Sequence, residues 1–297
     1  MGSLVGGLLS HAGYPVTLVD IRMDIIERVR RDGVKIITED GVLVAKPLVD
    51  TPETVNRVFN AVIVLVKSYA TRNAADTASR ILAPWGIAVS LQNGLGNLEV
   101  LKEVLGDRAH GGAATWGATL ESPGVVRLGG RGAIYLQKAN PGYEKAHEYL
   151  YNALERAGLN PVIVDDIDRI IWLKLIVNTV INPITAVLGK ENIVVYRNRW
   201  IRKLAPKIIE EAWKIASRQG IKLPPPEELL DTVMNVAETT GANRSSMLQD
   251  IESCRRTEAD AILGELINRG RRAGIEVPVV ETLYTLVKAL EEECSKD

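Results

Sequence analysis

Residues 170–189 read Ile-Ile-Trp-Leu-Lys-Leu-Ile-Val-Asn-Thr-Val-Ile-Asn-Pro-Ile-Thr-Ala-Val-Leu-Gly, and the fold turns on how this run is taken. It is apolar nearly all round, the mark of a helix buried in a core rather than laid on a surface. Lys174, Asn178 and Asn182 interrupt it at steps of four. At roughly 100° per residue each step drifts by only about 40°, so the three polar side chains share one stripe. One reading keeps them structural, a snorkelling lysine and two core amides bonded to backbone. The other makes the stripe a cleft wall carrying a cation and two hydrogen-bonding amides, with Pro183 bending the helix beside Asn182. A buried lysine is costly unless something uses or pairs it, which favours the cleft.

Working outward, the chain on the two sides of this run follows different patterns. Before it, short β-rich runs alternate with helical stretches, the pattern of a parallel sheet covered by helices. Helices are expected over 2–12, 71–82, 98–105 and 143–157, and strands over 16–20, 61–66, 87–91, 112–119, 125–128, 134–137 and 162–164. Residues 35–38 and 42–45 straddle Glu39-Asp40-Gly41, a hairpin signal, and Glu121-Ser122-Pro123-Gly124 is a second turn. From about Asp166 only helices are expected: the central one, then 198–219, 225–239, a long 245–273 and 278–293. The fold class is therefore α/β, with an N-terminal domain over 1–165 and an all-helical domain over 166–297.

Composition narrows the function. The chain has 297 residues, 46% hydrophobic and 25% charged, with a net charge of −1. That balance gives no reason to expect nucleic acid or an acidic membrane surface as partner. The uncharged apolar run Leu175 to Gly189 has 15 residues, short of the ~20 that span a bilayer. The start has no basic region before its short apolar stretch, so no signal peptide is expected and the protein is read as cytoplasmic. Two cysteines, Cys254 and Cys294, and three scattered histidines carry no metal-ligand spacing, which argues against a zinc site or a disulfide framework. Whether the two cysteines bridge is left open. The abundance of Arg, Glu and Ile with a single Phe hints at a thermophile.

Three further pieces carry chemistry. Met1-Gly2-Ser3 opens a small-residue helix followed by a strand ending at Asp20, like the back half of a dinucleotide-binding βαβ unit. There a helix N-terminus holds the pyrophosphate and an acid at the strand tip binds the adenosine ribose. Asp20 tilts the choice toward NADH, because a carboxylate repels a 2′-phosphate; Arg22 nearby keeps NADPH open. Second, Glu258 falls in the middle of the apolar face traced by Met247, Leu248, Ile251, Cys254, Ile262 and Leu266. A carboxylate there is paired, perturbed or at a site; the structural alternative is an ion pair with Arg255. Third, Asn93-Gly94-Leu95-Gly96 closes a core strand at the edge where open α/β sheets bind ligands, and Lys67 ends the preceding strand. An ordinary glycine turn and a solvated lysine are the alternatives.

Together these segments resemble the 2-dehydropantoate 2-reductase (ketopantoate reductase) family. The residues that carry the resemblance are Leu173-Lys174 through Asn178, Asn182-Pro183 and Thr185-Ala186, then Asn243-Arg-Ser-Ser246-Met-Leu-Gln-Asp250 and Arg256-Thr257-Glu258. Asn93-Gly94-Leu95-Gly96 and the strand ending at Lys67 fit as well, so the likeness covers essentially the whole chain. It implies a Rossmann-type domain followed by a helical domain akin to the C-terminal domain of 6-phosphogluconate dehydrogenase. The implied reaction is reduction of ketopantoate to pantoate by NADPH or NADH, in coenzyme A synthesis, by a homodimer. Carried onto this chain, Lys174 would protonate the substrate's carbonyl oxygen and Glu258 would hold its terminal hydroxyl. Asn178, Asn182, Asn243 and Ser246 would bind substrate, with Asn192 and Lys67 as secondary contacts. Gly2, Ser3, Asp20, Arg22 and Lys67 would contact cofactor, and Asn93 would sit where cofactor and substrate meet.

One departure accompanies the resemblance. The family opens with a strand and the full glycine fingerprint about ten residues upstream of Gly2, so this chain is expected to lack the first strand and first two glycines. Two rival functions follow from the residues: a reductase of another branched 2-keto acid, and a non-catalytic nucleotide-binding relative.

Overall fold

The computed structural model describes residues 1–294. Two compact units partition the chain, Met1–Gln92 with Asn97–Ile167, and Asn93–Gly96 with Asp168–Asp297. The first unit runs α1 (Gly2–His11), β1 (Thr17–Val19), α2 (Met23–Asp32), β2 (Val34–Thr38), β3 (Gly41–Ala45), β4 (Leu48–Asp50) and β5 (Phe59–Val64). It continues with α3 (Thr71–Ile81), β6 (Leu82–Ser90), α4 (Asn97–Leu105), β7 (Ala109–Ala114), β8 (Gly117–Ser122), β9 (Val125–Gly130), β10 (Ile134–Gln137), α5 (Glu144–Arg156) and β11 (Pro161–Val164).

A five-stranded sheet ordered β11-β10-β7-β6-β5 is the backbone of this unit, with β5, β6 and β7 parallel. Strand β6, between β5 and β7, is apolar on both faces because helices cover both. Ile87 and Val89 pack into the core that includes Leu4 and Val5 of α1 and Leu150 and Leu154 of α5. Ala88 packs the other way, with Ala75 and Ala78 of α3 and Leu101 of α4. That period-2 alternation fixes the register of the strands on whose ends Lys67 and Gln92 follow.

Two features depart from the sequence reading. The strands do not form one sheet: β1 pairs only with β4, in parallel, and β3-β2-β9-β8 is a separate four-stranded sheet. The strand expected over 112–119 is two strands in different sheets, β7 and β8. The corner between them is held by the Thr115 N–H on the Ala133 carbonyl (3.0 Å) and the Trp116 indole N–H on the Leu159 carbonyl (3.1 Å). Both turn signals formed hairpins, Thr38 opposite Gly41 and Ser122 opposite Val125.

The second unit is helical: α6 (Ile167–Leu188, its first residue in the first unit), α7 (Ile193–Arg197), α8 (Ile201–Arg218), α9 (Pro226–Thr239), α10 (Ser246–Glu252), a π-helical turn Asp260–Gly264, α11 (Glu265–Ala273) and α12 (Pro278–Cys294). By length and apolarity α6 could cross a bilayer. Here it is a core helix, with Leu175, Ile176 and Val180 buried among Ile208, Ile209 and Ile215 of α8 and Val233 of α9. The helix continues through Pro183 to Leu188.

The long helix expected over 245–273 is broken, and the break has a local cause. Cys254 adopts φ +46, and the Arg255 and Cys254 N–H groups donate back to the Asp250 and Ile251 carbonyls (2.8 and 3.0 Å). This is a Schellman-type stop, with a cysteine where glycine is usual. Residues 253–258 are non-helical, and the Thr257 hydroxyl accepts the Ala259 N–H (3.0 Å) where the chain coils again. Apolar periodicity continues across the break, which is why the sequence pattern hides it.

Candidate active site

The helical unit collects most of the polar residues singled out above. Lys174 is half-buried on α6 between Trp172 and Leu175, both buried. Burial pulls its ammonium from the ordinary lysine range down to about 8, and the Glu258 carboxylate nearby resists the drop. Among the described residues the ammonium makes no hydrogen bond or ion pair, and the Glu258 charge is what favours its protonated form. A cation held this way is costly to stability and readily gives up a proton.

Glu258 is buried, just before the π-helical turn. Its backbone carbonyl accepts the N–H groups of Ala261 and Ile262 (3.1 and 3.0 Å). The ion pair with Arg255 did not form; Arg255 reaches the buried Asp250 instead (3.3 Å). Glu258 Oε2 accepts the Asn93 side-chain amide (3.1 Å).

That bond depends on the glycine turn. Gly94 has φ +83, and a Cβ there would lie 2.5 Å from the Ala261 carbonyl oxygen. Only glycine allows the turn to press this closely on the π-helical segment. The Leu95 N–H then donates to that same carbonyl (2.9 Å), seating residues 93–96 against the helical unit. π-Turns recur at functional sites. Here the turn offers the Ala261 carbonyl to the segment that positions Asn93.

A second group is tied to the far half of α6. The Thr185 hydroxyl donates to the Ser245 hydroxyl (2.7 Å), and Ser245 caps α10 by accepting the Leu248 N–H (3.1 Å). This brings the start of α10, with Ser246 exposed on its first turn, to the helix that carries Asn182. The Asn192 N–H donates to the Asn243 carbonyl (2.9 Å), and the Asn192 side-chain amide reaches Thr240 (2.9 Å). Among the described residues the buried Asn192 Oδ1 has no partner, an exception that calls for a ligand or water. The side chains of Asn178 and Asn182 make no hydrogen bond among the described residues. The structural reading of the stripe, two amides satisfied by backbone, is therefore not what the structure adopts.

Several residues that organise the site were given no role by the sequence reading. Thr185 and Ser245 link α6 to α10; the serine ahead of an apolar run was a readable helix-start signal. Thr257 donates its N–H and hydroxyl to Glu291 on α12 (2.8 and 2.5 Å), and Glu291 also pairs with Lys288 (2.5 Å). Nothing local in the sequence marks that pairing, because the partners lie 34 residues apart.

In the first unit Gly2 and Ser3 open α1, whose backbone ladder starts with the Val5 N–H on the Met1 carbonyl (3.0 Å). The earlier N–H groups have no acceptor within the helix, which suits an anion. A Cβ at Gly2 would meet open space. Half-buried Asp20 follows β1, and among the described residues its side chain accepts only the N–H of Arg22 (2.9 Å), leaving acceptor capacity for ribose hydroxyls. The Arg22 guanidinium is turned to Asp24 (2.6 Å). This donor and acceptor set fits a nicotinamide dinucleotide, with Asp20 and not Arg22 offered to the adenosine ribose. Lys67 follows β5 and precedes a short 3-10 turn, where its carbonyl accepts the Ala70 N–H (2.8 Å).

The model of the ketopantoate reductase PanE/ApbA family matches residues 1–141, and that of its C-terminal region matches residues 166–291. The 2-dehydropantoate 2-reductase of Pyrococcus horikoshii is 37% identical over 296 residues, covering 98% of this chain and 94% of the relative. That of Archaeoglobus fulgidus is 34% identical, with coverages of 98% and 95%. Among solved structures, a ternary complex of D-mandelate dehydrogenase with NADH and anilino(oxo)acetate matches with a TM-score of 0.93 at 26% identity, covering 99% and 96% of the two chains. A 2-dehydropantoate 2-reductase from Geobacter metallireducens matches with a TM-score of 0.87 at 28% identity, covering 96% and 95%.

Proposed function

The chain belongs to the ketopantoate reductase family, and from that premise we propose that it reduces 2-dehydropantoate to pantoate with Lys174 as the proton donor. The unit that holds Gly2, Ser3, Asp20 and Arg22 binds the dinucleotide, and the helical unit binds the keto acid. The observation that carries the reading is Lys174 on the polar stripe of α6, its ammonium lowered to about 8 by burial and favoured by the charge of Glu258, which Asn93 holds.

When bound, the reduced nicotinamide supplies a hydride to the substrate's carbonyl carbon. Negative charge then builds on the carbonyl oxygen, and the Lys174 ammonium neutralises it and transfers a proton from Nζ. An acid near 8 stays mostly charged at neutral pH yet releases its proton far more readily than an ordinary lysine. Glu258 keeps that ammonium charged against burial, and its carboxylate accepts a hydrogen bond from the substrate's terminal hydroxyl. Asn178 and Asn182 bring partnerless amides to the same helix face, where they bind the carboxylate and carbonyl of a small polar acid. Asn243, Ser246 and Asn192 close the far end, and Asn192 Oδ1 gains a hydroxyl donor there. On this reading the enzyme works in the cytoplasm as a homodimer.

The test is ketopantoate-dependent oxidation of NADH and NADPH by the wild type and Lys174→Ala. Loss of kcat by about 10²–10⁴-fold, the usual weight of general acid catalysis, is expected; near-normal turnover by the variant refutes the assignment. The likeness to D-mandelate dehydrogenase favours one second reading, a reductase of a different 2-keto acid. Glu258→Ala separates the two. If it harms ketopantoate no more than a keto acid lacking the terminal hydroxyl, ketopantoate is the wrong substrate.

A further inference from the structure

The two cysteines of the chain lie 40 positions apart, yet their sulfurs sit 2.7 Å from each other. Cys294, near the end of α12, also directs its thiol to the Ile251 carbonyl (3.1 Å), the acceptor of the Cys254 N–H. Cys254 is exposed and occupies the left-handed C′ position of the α10 stop, where a side chain is disfavoured and glycine is usual. A residue kept in a backbone conformation that suits glycine needs a reason, and the facing thiol supplies one.

We propose that Cys254 and Cys294 form an intrachain disulfide under an oxidising thiol–disulfide poise, stapling α12 to the segment that leads to Glu258. The chemistry balances with a small-molecule disulfide as oxidant. The exposed Cys254, as thiolate, attacks one sulfur of the oxidant and expels a thiolate. Cys294, as thiolate, then attacks Cys254 Sγ in the mixed disulfide and expels the second. Two electrons pass to the oxidant, and the two protons leave on the two small thiols formed. The bond fastens a region already clamped three residues further on, where Thr257 meets Glu291 of α12. It fixes residues 253–258, the non-helical link between α10 and the π-helical turn. The proposal concerns the cysteine pair and stands whichever keto acid the enzyme reduces.

The test uses the full chain equilibrated in glutathione buffers from fully reduced to fully oxidised. Thiols are counted in denaturant, non-reducing peptide maps are taken, and Tm is measured with and without dithiothreitol. Expected in the oxidised arm are no titratable thiols, a 254–294 cross-linked peptide and a Tm about 5–10 °C above the reduced arm, as suits a closed loop of this length. Cys294→Ala and Cys254→Gly should both abolish the redox-dependent shift. The glycine variant also relieves the left-handed strain, so it should fold at least as stably as the reduced wild type. Two reactive thiols at every glutathione ratio, or cross-links only between chains, would overturn the proposal. A bridge that forms without moving Tm would overturn the staple.

Discussion

Lys174 makes a quantitative test possible, because its charge weakens the fold it serves. Its folded value of about 8 lies below the unfolded lysine value of 10.5, so the sign is opposite to that of a stabilising ion pair. Below pH 8 both states carry the proton and the penalty on the folded state is fully present. Between pH 8 and 10.5 the unfolded state holds the proton while the folded state releases it, and stability rises with pH. Above 10.5 both are neutral and the penalty is gone. At 1.36 kcal/mol per pKa unit the full difference is about 3 kcal/mol, and partial exposure of Lys174 reduces the usable part to about 2. The perturbation is Lys174→Met, which keeps the volume and removes the charge. Urea unfolding of both proteins at pH 7 and pH 10 cancels the titrations they share. The wild type should gain about 2 kcal/mol relative to the variant across that interval. The variant should be inactive throughout. A stability difference independent of pH, or one that moves against the wild type as pH rises, would refute a desolvated, proton-poised lysine and with it the acid role.

Glu258→Gln removes the charge that holds the Lys174 value up, so the alkaline fall of kcat/KM should move below pH 8 and the plateau should drop about 10²-fold or more. An unmoved limb in the pH–rate profile would separate the two residues. Gly94→Ala meets the Ala261 carbonyl at 2.5 Å and a φ of +83. It should cost roughly 1–3 kcal/mol of unfolding free energy and lower kcat/KM by displacing Asn93. Thr257→Val keeps the shape but loses the Glu291 bond and the cap on the Ala259 N–H; calorimetry should register about 1 kcal/mol. Its KM for the nicotinamide cofactor should not change. Asp20→Ser should raise kcat/KM with NADPH relative to NADH, since Arg22 stays on Asp24 and the repelling carboxylate is gone.

Periodicity and composition determined a good deal here. The apolar run around Lys174, Asn178 and Asn182 declared a buried helix with one polar stripe, and the strand–helix alternation before it declared an α/β unit. Both are local signals, written at spacings of two and four residues, and the hairpins at Gly41 and Gly124 are equally local. What tertiary structure decided are pairings between residues far apart in sequence. Nothing within reach of Glu258 in the chain announces that Asn93, 165 residues away, donates to it, or that Gly94 is needed to bring that turn onto Ala261. Likewise the unbroken apolar face of 245–273 concealed the stop at Cys254, because burial of side chains continues across a break that only backbone hydrogen bonds reveal. The splitting of the strands into three sheets depends on which edges meet, and hydrophobic pattern does not encode edge partners. The residues proposed to act are legible because charge and amide groups stand out in an apolar helix. Those that hold them in place were not, because a threonine, a serine or a glycine becomes a positioning residue only through the partner that folding brings to it.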